Sequence, residues 1–108
     1  MTIQAGEIWL ADIPFTNGMA TKVRPVLVLW LDRTDAVVAV VTSANPRSAT
    51  DVALTDWKAA GLRVASTVRL SRLDCLEQSL LFHRLGNLSS VDAITMKAVW
   101  ELHVKPQF

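Results

Sequence analysis

Two continuous apolar runs lie close together in the chain. They are Val26-Leu27-Val28-Leu29-Trp30-Leu31 and the run from Ala36 to Val41, with the turn-like Asp32-Arg33-Thr34-Asp35 between them. Neither alternates polar with apolar residues, which is the pattern of a strand covered on both faces. They predict a central hairpin. Elsewhere the apolar runs are short and the turn signals closely spaced, which favours a mainly β fold, a barrel with one C-terminal helix. A chain of 108 residues has room for one compact domain, taken as 1–108. Dimerisation would help a domain this small to bury its surface.

The remaining elements follow from local signals. Glu7 to Ile13 reads as a first strand ended by Pro14. The stretch from Phe15 to Lys22 is polar and contains Gly18, so it reads as a loop. Thr42 to Arg47 leaves the sheet, and Asp51 to Leu54 is a short strand. Thr55 to Gly61 reads as one helical turn with Thr55 as its cap and Gly61 as its stop. Ser66 to Leu70 and Ser79 to Leu85 are two further strands, and Gly86-Asn87 is a turn. Ser90 is placed to cap a last helix from Val91 to about His103. Its apolar residues at 91, 94, 98 and 102 form one stripe, the face expected to pack on the barrel. Ala93, Met96, Val99 and Trp100 widen that surface and suggest contact with another subunit.

Charge and composition exclude several functions. The chain has 11 basic and 10 acidic residues, a net charge of +1, so it does not bind nucleic acid by bulk charge. Anion binding has to come from a local basic cluster. Cys75 is the one cysteine, which rules out an intrachain disulfide and a cysteine-built zinc site and fits a reducing cytoplasm. Met1 to Glu7 has neither the charged nor the apolar region of a signal peptide. Val26 to Leu31 is far short of a membrane span, so no membrane partner is expected. His-x-x-x-His spacing, an acidic cluster and a glycine-rich phosphate loop are all absent from the sequence, so neither a metal nor a nucleotide cofactor is expected.

What remains for chemistry is arginine and hydroxyl residues at strand ends. Arg24 precedes Pro25, whose ring restricts the backbone on both sides of the bond. That places a guanidinium at the mouth of the most apolar strand, where it either binds an anion or caps the strand in solvent. Thr42 and Ser43 end the second apolar run, suited to a phosphate oxygen or to capping a turn. Arg69 lies on the same strand face as Thr67 by alternation, and a charged residue there often faces solvent. His83 alternates with Phe82 and Arg84 and reads as structural or solvent-facing. Cys75 follows Asp74 in a loop and reads as a passive thiol. Trp9, Trp30, Trp57 and Trp100 read as core or interface mass, with Trp57 on a turn where it could stack a base.

Taken in order, these stretches resemble the MazF/PemK/Kid toxins of type II toxin–antitoxin systems. Gly6-Glu7-Ile8-Trp9-Leu10-Ala11-Asp12-Ile13-Pro14-Phe15 looks like the family's opening strand. Lys22-Val23-Arg24-Pro25-Val26-Leu27-Val28-Leu29 looks like its Arg-Pro strand, and Val40-Val41-Thr42-Ser43 like the end of the next. Asp56-Trp57-Lys58-Ala59-Ala60-Gly61-Leu62, then Ser66-Thr67-Val68-Arg69-Leu70, then Leu85-Gly86-Asn87-Leu88-Ser89 resemble the PemK-like branch.

The resemblance implies an SH3-like barrel of the CcdB/MazF/Kid type. It also implies a homodimer with single-stranded RNA along the dimer groove, and a cognate antitoxin with an acidic inhibitory segment. The implied reaction is metal-free cleavage in which the substrate's own 2′-hydroxyl attacks, leaving a 2′,3′-cyclic phosphate and a 5′-hydroxyl. Arg24 and Thr42 match the family's catalytic residues. Lys22, Ser43, Thr67, Arg69 and Ser71 are the implied substrate-binding set. The sequence departs from many members in reading Met19-Ala20-Thr21 where a histidine or glutamate stands, and Ser71 where some have aspartate. Two alternatives stay open: a CcdB-like gyrase-poisoning toxin on the same fold, and a catalytically decayed member that still binds antitoxin. The first uses a Trp-Gly-Ile ending, whereas this chain ends Lys105-Pro106-Gln107-Phe108.

Overall fold

The computed structural model describes residues 2–14 and 20–108. The central hairpin is β2, Thr21–Asp32, against β3, Asp35–Thr42, joined by Arg33 and Thr34. Arg33 takes the left-handed conformation, φ 57°, that so short a connection demands. Four more strands complete one antiparallel sheet: β1, Glu7–Pro14; β4, Asp51–Ala53; β5, Thr67–Glu77; and β6, Leu81–Asn87. Their order is β4-β5-β3-β2-β1-β6. The sheet is barrel-like without closing, and β4 and β6 stand at its two ends.

The hairpin's apolar runs do not alternate because both faces of the sheet are covered. Leu27, Ala39 and Val41 lie on one face in a core with Ile8, Val68, Leu70 and Met96. Val26, Val28 and Val38 lie on the other with Ile3, Trp9, Leu76 and Leu81. The register Val26↔Val40 and Leu27↔Ala39 sets these two layers.

β5 serves both layers because it is bent. Arg69 pairs with Val40 and Leu73 with Ala39, so Leu70, Ser71 and Arg72 bulge from the ladder and turn the strand. It therefore runs well past the expected Leu70 and takes in Cys75, which pairs with Val37 and is exposed rather than lying in a loop. Partial desolvation by its neighbours, then the Asp35, Asp32 and Asp74 carboxylates, push its thiol up, which suppresses the reactive thiolate. β2 is likewise longer than its apolar run. Thr21, Lys22, Val23 and Arg24 continue it by pairing with Pro14, Ile13, Asp12 and Ala11, so that part of the expected loop is strand. The rest of that loop, 15–19, lies outside the described residues. At the far end Gly86 and Asn87 are not a free turn but pair with Ile8 and Glu7. Gln78–Leu80 forms a 3-10 turn before β6.

The last helix, α1, spans Ser90–Val99 and is capped by Ser89, one residue before the expected Ser90. The Ser89 hydroxyl accepts from Asp92 N–H at 3.1 Å. A wider π turn, Trp100–Val104, follows. Trp100 meets Trp30 of β2 edge to face, with ring centroids 5.7 Å apart.

The rotation of α1 is opposite to the one its apolar stripe predicts. Val91, Ile94, Ala98 and Leu102 face outward, and Asp92, Met96, Val99 and Trp100 face the sheet. Asp92 decides this. Its buried carboxylate accepts the backbone N–H groups of Thr55 and Asp56, each at 2.9 Å. It thereby caps the 55–61 turn, a role expected of Thr55. That segment is a hydrogen-bonded turn rather than a helix. It stops at Gly61, as expected, with φ +87°. Any Cβ at Gly61 would collide with the Leu85 carbonyl, and one at Gly86 would lie 2.6 Å from the Ala60 carbonyl oxygen. Two glycines thus let the turn and β6 meet backbone to backbone.

Candidate functional site

Residues 61–66 run on from this glycine contact and wall a cleft of about 660 Å³ over the end of the hairpin. Leu10 of β1, Pro25 of β2, Val41 of β3 and Leu85 of β6 give it an apolar floor. The polar lining is Lys22, Arg24, Thr42, Ser43, Arg63, Ser66 and His83. Three of these are cations and none is a carboxylate. This is the local basic cluster that a chain of net charge +1 needs in order to bind an anion.

The β2–β3 register explains why Arg24 and Thr42 meet. Val26 pairs with Val40, and Arg24 and Thr42 each lie two residues beyond that pair at the same end of the hairpin, where both line the cleft. Both are partly buried, which holds them without removing them from solvent. The Thr42 hydroxyl accepts from Ala44 N–H at 3.2 Å. It therefore caps the turn, one of the two roles its position suggested, and keeps its own O–H to donate. A smaller cleft of about 380 Å³ lies beyond Lys22 and Arg24, which line both. Ile13, Arg72 and Asp74 line it as well.

Four of the seven expected site residues converge here: Arg24, Thr42, Ser43 and Lys22. Thr67, Arg69 and Ser71 do not line either cleft. Thr67 is beside Thr42 in the ladder but 2% exposed. Ser71 is exposed on the β5 bulge. Arg69 is buried, and its Nη1 binds Asp51 Oδ2 at 2.9 Å. Arg47 N–H donates to the same oxygen at 3.0 Å, so the guanidinium ties β4 to β5 rather than waiting for a ligand. Trp57 packs against the core under the helix.

Sequence reasoning missed Arg63, Ser66 and Arg72 and placed His83 outside the site. The signal for Arg63 and Ser66 was their position just after Gly61. No signal brings β6 beside the hairpin except the pairing of β1 with both. Among the described residues no three of His, Cys, Asp and Glu come together as a metal would need.

The chain matches the family described as PemK-like, MazF-like toxins of type II toxin–antitoxin systems over residues 4–101. It is 32% identical over 98 residues to the probable endoribonuclease MazF of Mycolicibacterium smegmatis, covering 85% of this chain and 87% of that protein. Solved structures share the fold at lower identity. An endoribonuclease from a mycobacterial species aligns with a TM-score of 0.75 at 13% identity, over 100% of this chain and 96% of that one. MazF in the MazE–MazF structure of Deinococcus radiodurans aligns with a TM-score of 0.75 at 17% identity, over 98% and 99%. None of these matches supports the gyrase-poisoning alternative. The chain belongs to the PemK-like, MazF-like toxins of type II toxin–antitoxin systems.

Proposed function

We propose that this toxin is an endoribonuclease of one domain that cuts single-stranded RNA at short sequences without a metal, with Arg24 and Thr42 as its catalytic residues. The observation that carries this reading is the cleft in which Arg24, Thr42, Ser43 and Lys22 meet without a carboxylate. The name of the M. smegmatis relative, an endoribonuclease, supports it. Attack by the 2′-hydroxyl places extra negative charge on the phosphate oxygens. The Arg24 fork can hold two of them, and the Thr42 O–H can donate to one. Ser43 adds a hydroxyl, and Lys22 adds charge between the two clefts, where the strand would pass. The products are a 2′,3′-cyclic phosphate and a 5′-hydroxyl.

The working form is a homodimer inhibited by an antitoxin. The outward stripe of Val91, Ile94 and Leu102, each more than half exposed, supports a second contact. A mycobacterial relative of the same fold has been solved with its cognate antitoxin. An acidic antitoxin segment laid on Lys22, Arg24 and Arg63 would compete with RNA and bind more weakly as salt rises. No helix among the described residues is long and apolar enough to cross a membrane, and an RNA substrate is met in the cytoplasm. The test is incubation of the purified protein with a long single-stranded RNA transcript in EDTA, followed by mapping of the fragment ends. Cuts at a recurring short sequence with cyclic-phosphate ends are expected. Cutting only with added divalent metal overturns the mechanism. Intact RNA alongside tight antitoxin binding marks a decayed member.

A further inference from the structure

We infer that His83 is the general base of the cleft, taking the 2′-hydroxyl proton as RNA is cut. The inference rests on the RNA-cleaving reading above. His83 stands on β6 opposite Leu10 of β1, and Leu10 stands opposite Pro25 of β2. All three line the larger cleft together with Arg24 and Thr42. Two strand spacings separate β6 from β2, roughly 10 Å in all. A phosphodiester held by Arg24 from one wall is therefore within reach of an imidazole on the other. His83 is exposed, so RNA entering the cleft meets it.

The chemistry of the lining points the same way. The other charged groups facing the cleft are Lys22 and Arg24 of β2 and Arg63 of the 61–66 segment. β1 contributes the uncharged Leu10, and the next residue of β6, Arg84, is bound to Glu7 at 2.7 Å. A guanidinium or an ammonium offers donors and no acceptor. These cations can hold the phosphate and stabilise its charge, but they cannot remove a proton. Imidazole can do so near neutral pH. In the step, the His83 imidazole takes the 2′-hydroxyl proton as the 2′-oxygen bonds to phosphorus. The bond from phosphorus to the 5′-oxygen breaks, and that oxygen takes a proton from water. The imidazolium then gives its proton to the hydroxide left behind, so atoms and charge balance.

The test uses a synthetic oligoribonucleotide spanning a mapped cut site, with EDTA present, under single-turnover conditions. Cleavage by His83→Ala should fall about a hundredfold, the lower end for losing a proton-transfer group. RNA affinity should be unchanged. The wild-type rate should depend on pH, and the variant should lose that dependence. Imidazole added to the buffer should restore the variant's rate in proportion to its concentration. His83→Gln, closer in size to histidine, should be as slow as His83→Ala, and circular dichroism checks that both fold. A His83→Ala rate equal to wild type overturns the assignment. So does a slow variant that keeps the pH dependence and ignores imidazole, because that pattern belongs to a structural residue. If the wild type leaves the RNA intact, the RNA-cleaving reading itself has failed, which is a different result from a wild type that cuts and a variant that cuts equally well.

Discussion

Replacing Asp92 with alanine should loosen the cleft from a position that does not line it. Asp92 is 1% exposed, and its carboxylate accepts N–H groups of Thr55 and Asp56, both at 2.9 Å. These hydrogen bonds to a charged group are worth about 1.5–3 kcal/mol each. Alanine removes both and leaves two N–H groups to find other partners. The two are not additive, since water can enter to satisfy one of them. The expected loss of folding stability is about 3–4 kcal/mol. The Asp92→Asn change keeps one acceptor oxygen but turns an NH2 group toward the other donor, so its cost should be comparable. Urea denaturation at one fixed protein concentration measures the change, because a dimer's stability depends on concentration. Hydrogen exchange should quicken first at 55–62, and the RNA-cleaving rate should fall as Arg63 and Ser66 lose their fixed place. A loss under about 0.5 kcal/mol, the range of ordinary surface substitutions, would refute the claim that this carboxylate sets the rotation of α1 and the seat of the turn.

Arg24→Ala should lower RNA cleavage about a hundredfold or more, the scale of one lost transition-state donor. Arg24→Lys should also be impaired because it keeps the charge and loses the fork. Thr42→Ala should lose less, as a neutral hydroxyl makes a weaker bond. All three should fold as wild type by circular dichroism, and a wild-type rate in Arg24→Ala would place the active site elsewhere. Arg69→Met should cost about 3–5 kcal/mol because it strands the buried Asp51 carboxylate. The double change with Asp51→Leu should recover most of that loss, and urea midpoints decide. Glu7 should make stability fall in acid. Burial opposes its charge, but hydrogen bonds from Gln4 N–H, the Trp9 indole and Arg84, with the Arg84 charge, hold its carboxyl below the ordinary range. Its contribution is therefore present above the unfolded-state value, about 4.3, and is lost as pH falls through the lower folded-state value. Glu7→Gln should flatten that slope, and an unchanged slope would count against it.

The apolar runs 26–31 and 36–41 announced a hairpin covered on both faces because strand burial is written in consecutive residues. Gly61 was legible as a stop because left-handed backbone favours one residue type. Arg24 and Thr42 stood out by residue type and place, and so did the resemblance of the ordered segments to a toxin family. Contacts between distant residues were not legible. Alternation put Arg69 and Thr67 on one face correctly but could not say that Asp51, 18 residues away, would neutralise that arginine in the interior. Helical spacing found an apolar stripe at 91, 94, 98 and 102, yet the side that packs was chosen by Asp92, a polar residue satisfied 37 and 36 residues away. His83 reached the cleft through strand pairing with β1, and Arg63 through a backbone contact between two glycines. Local periodicity records which residues can be buried. Register, ion-pair partners and the rotation of a helix depend on which distant groups meet, and only the folded chain brings those together.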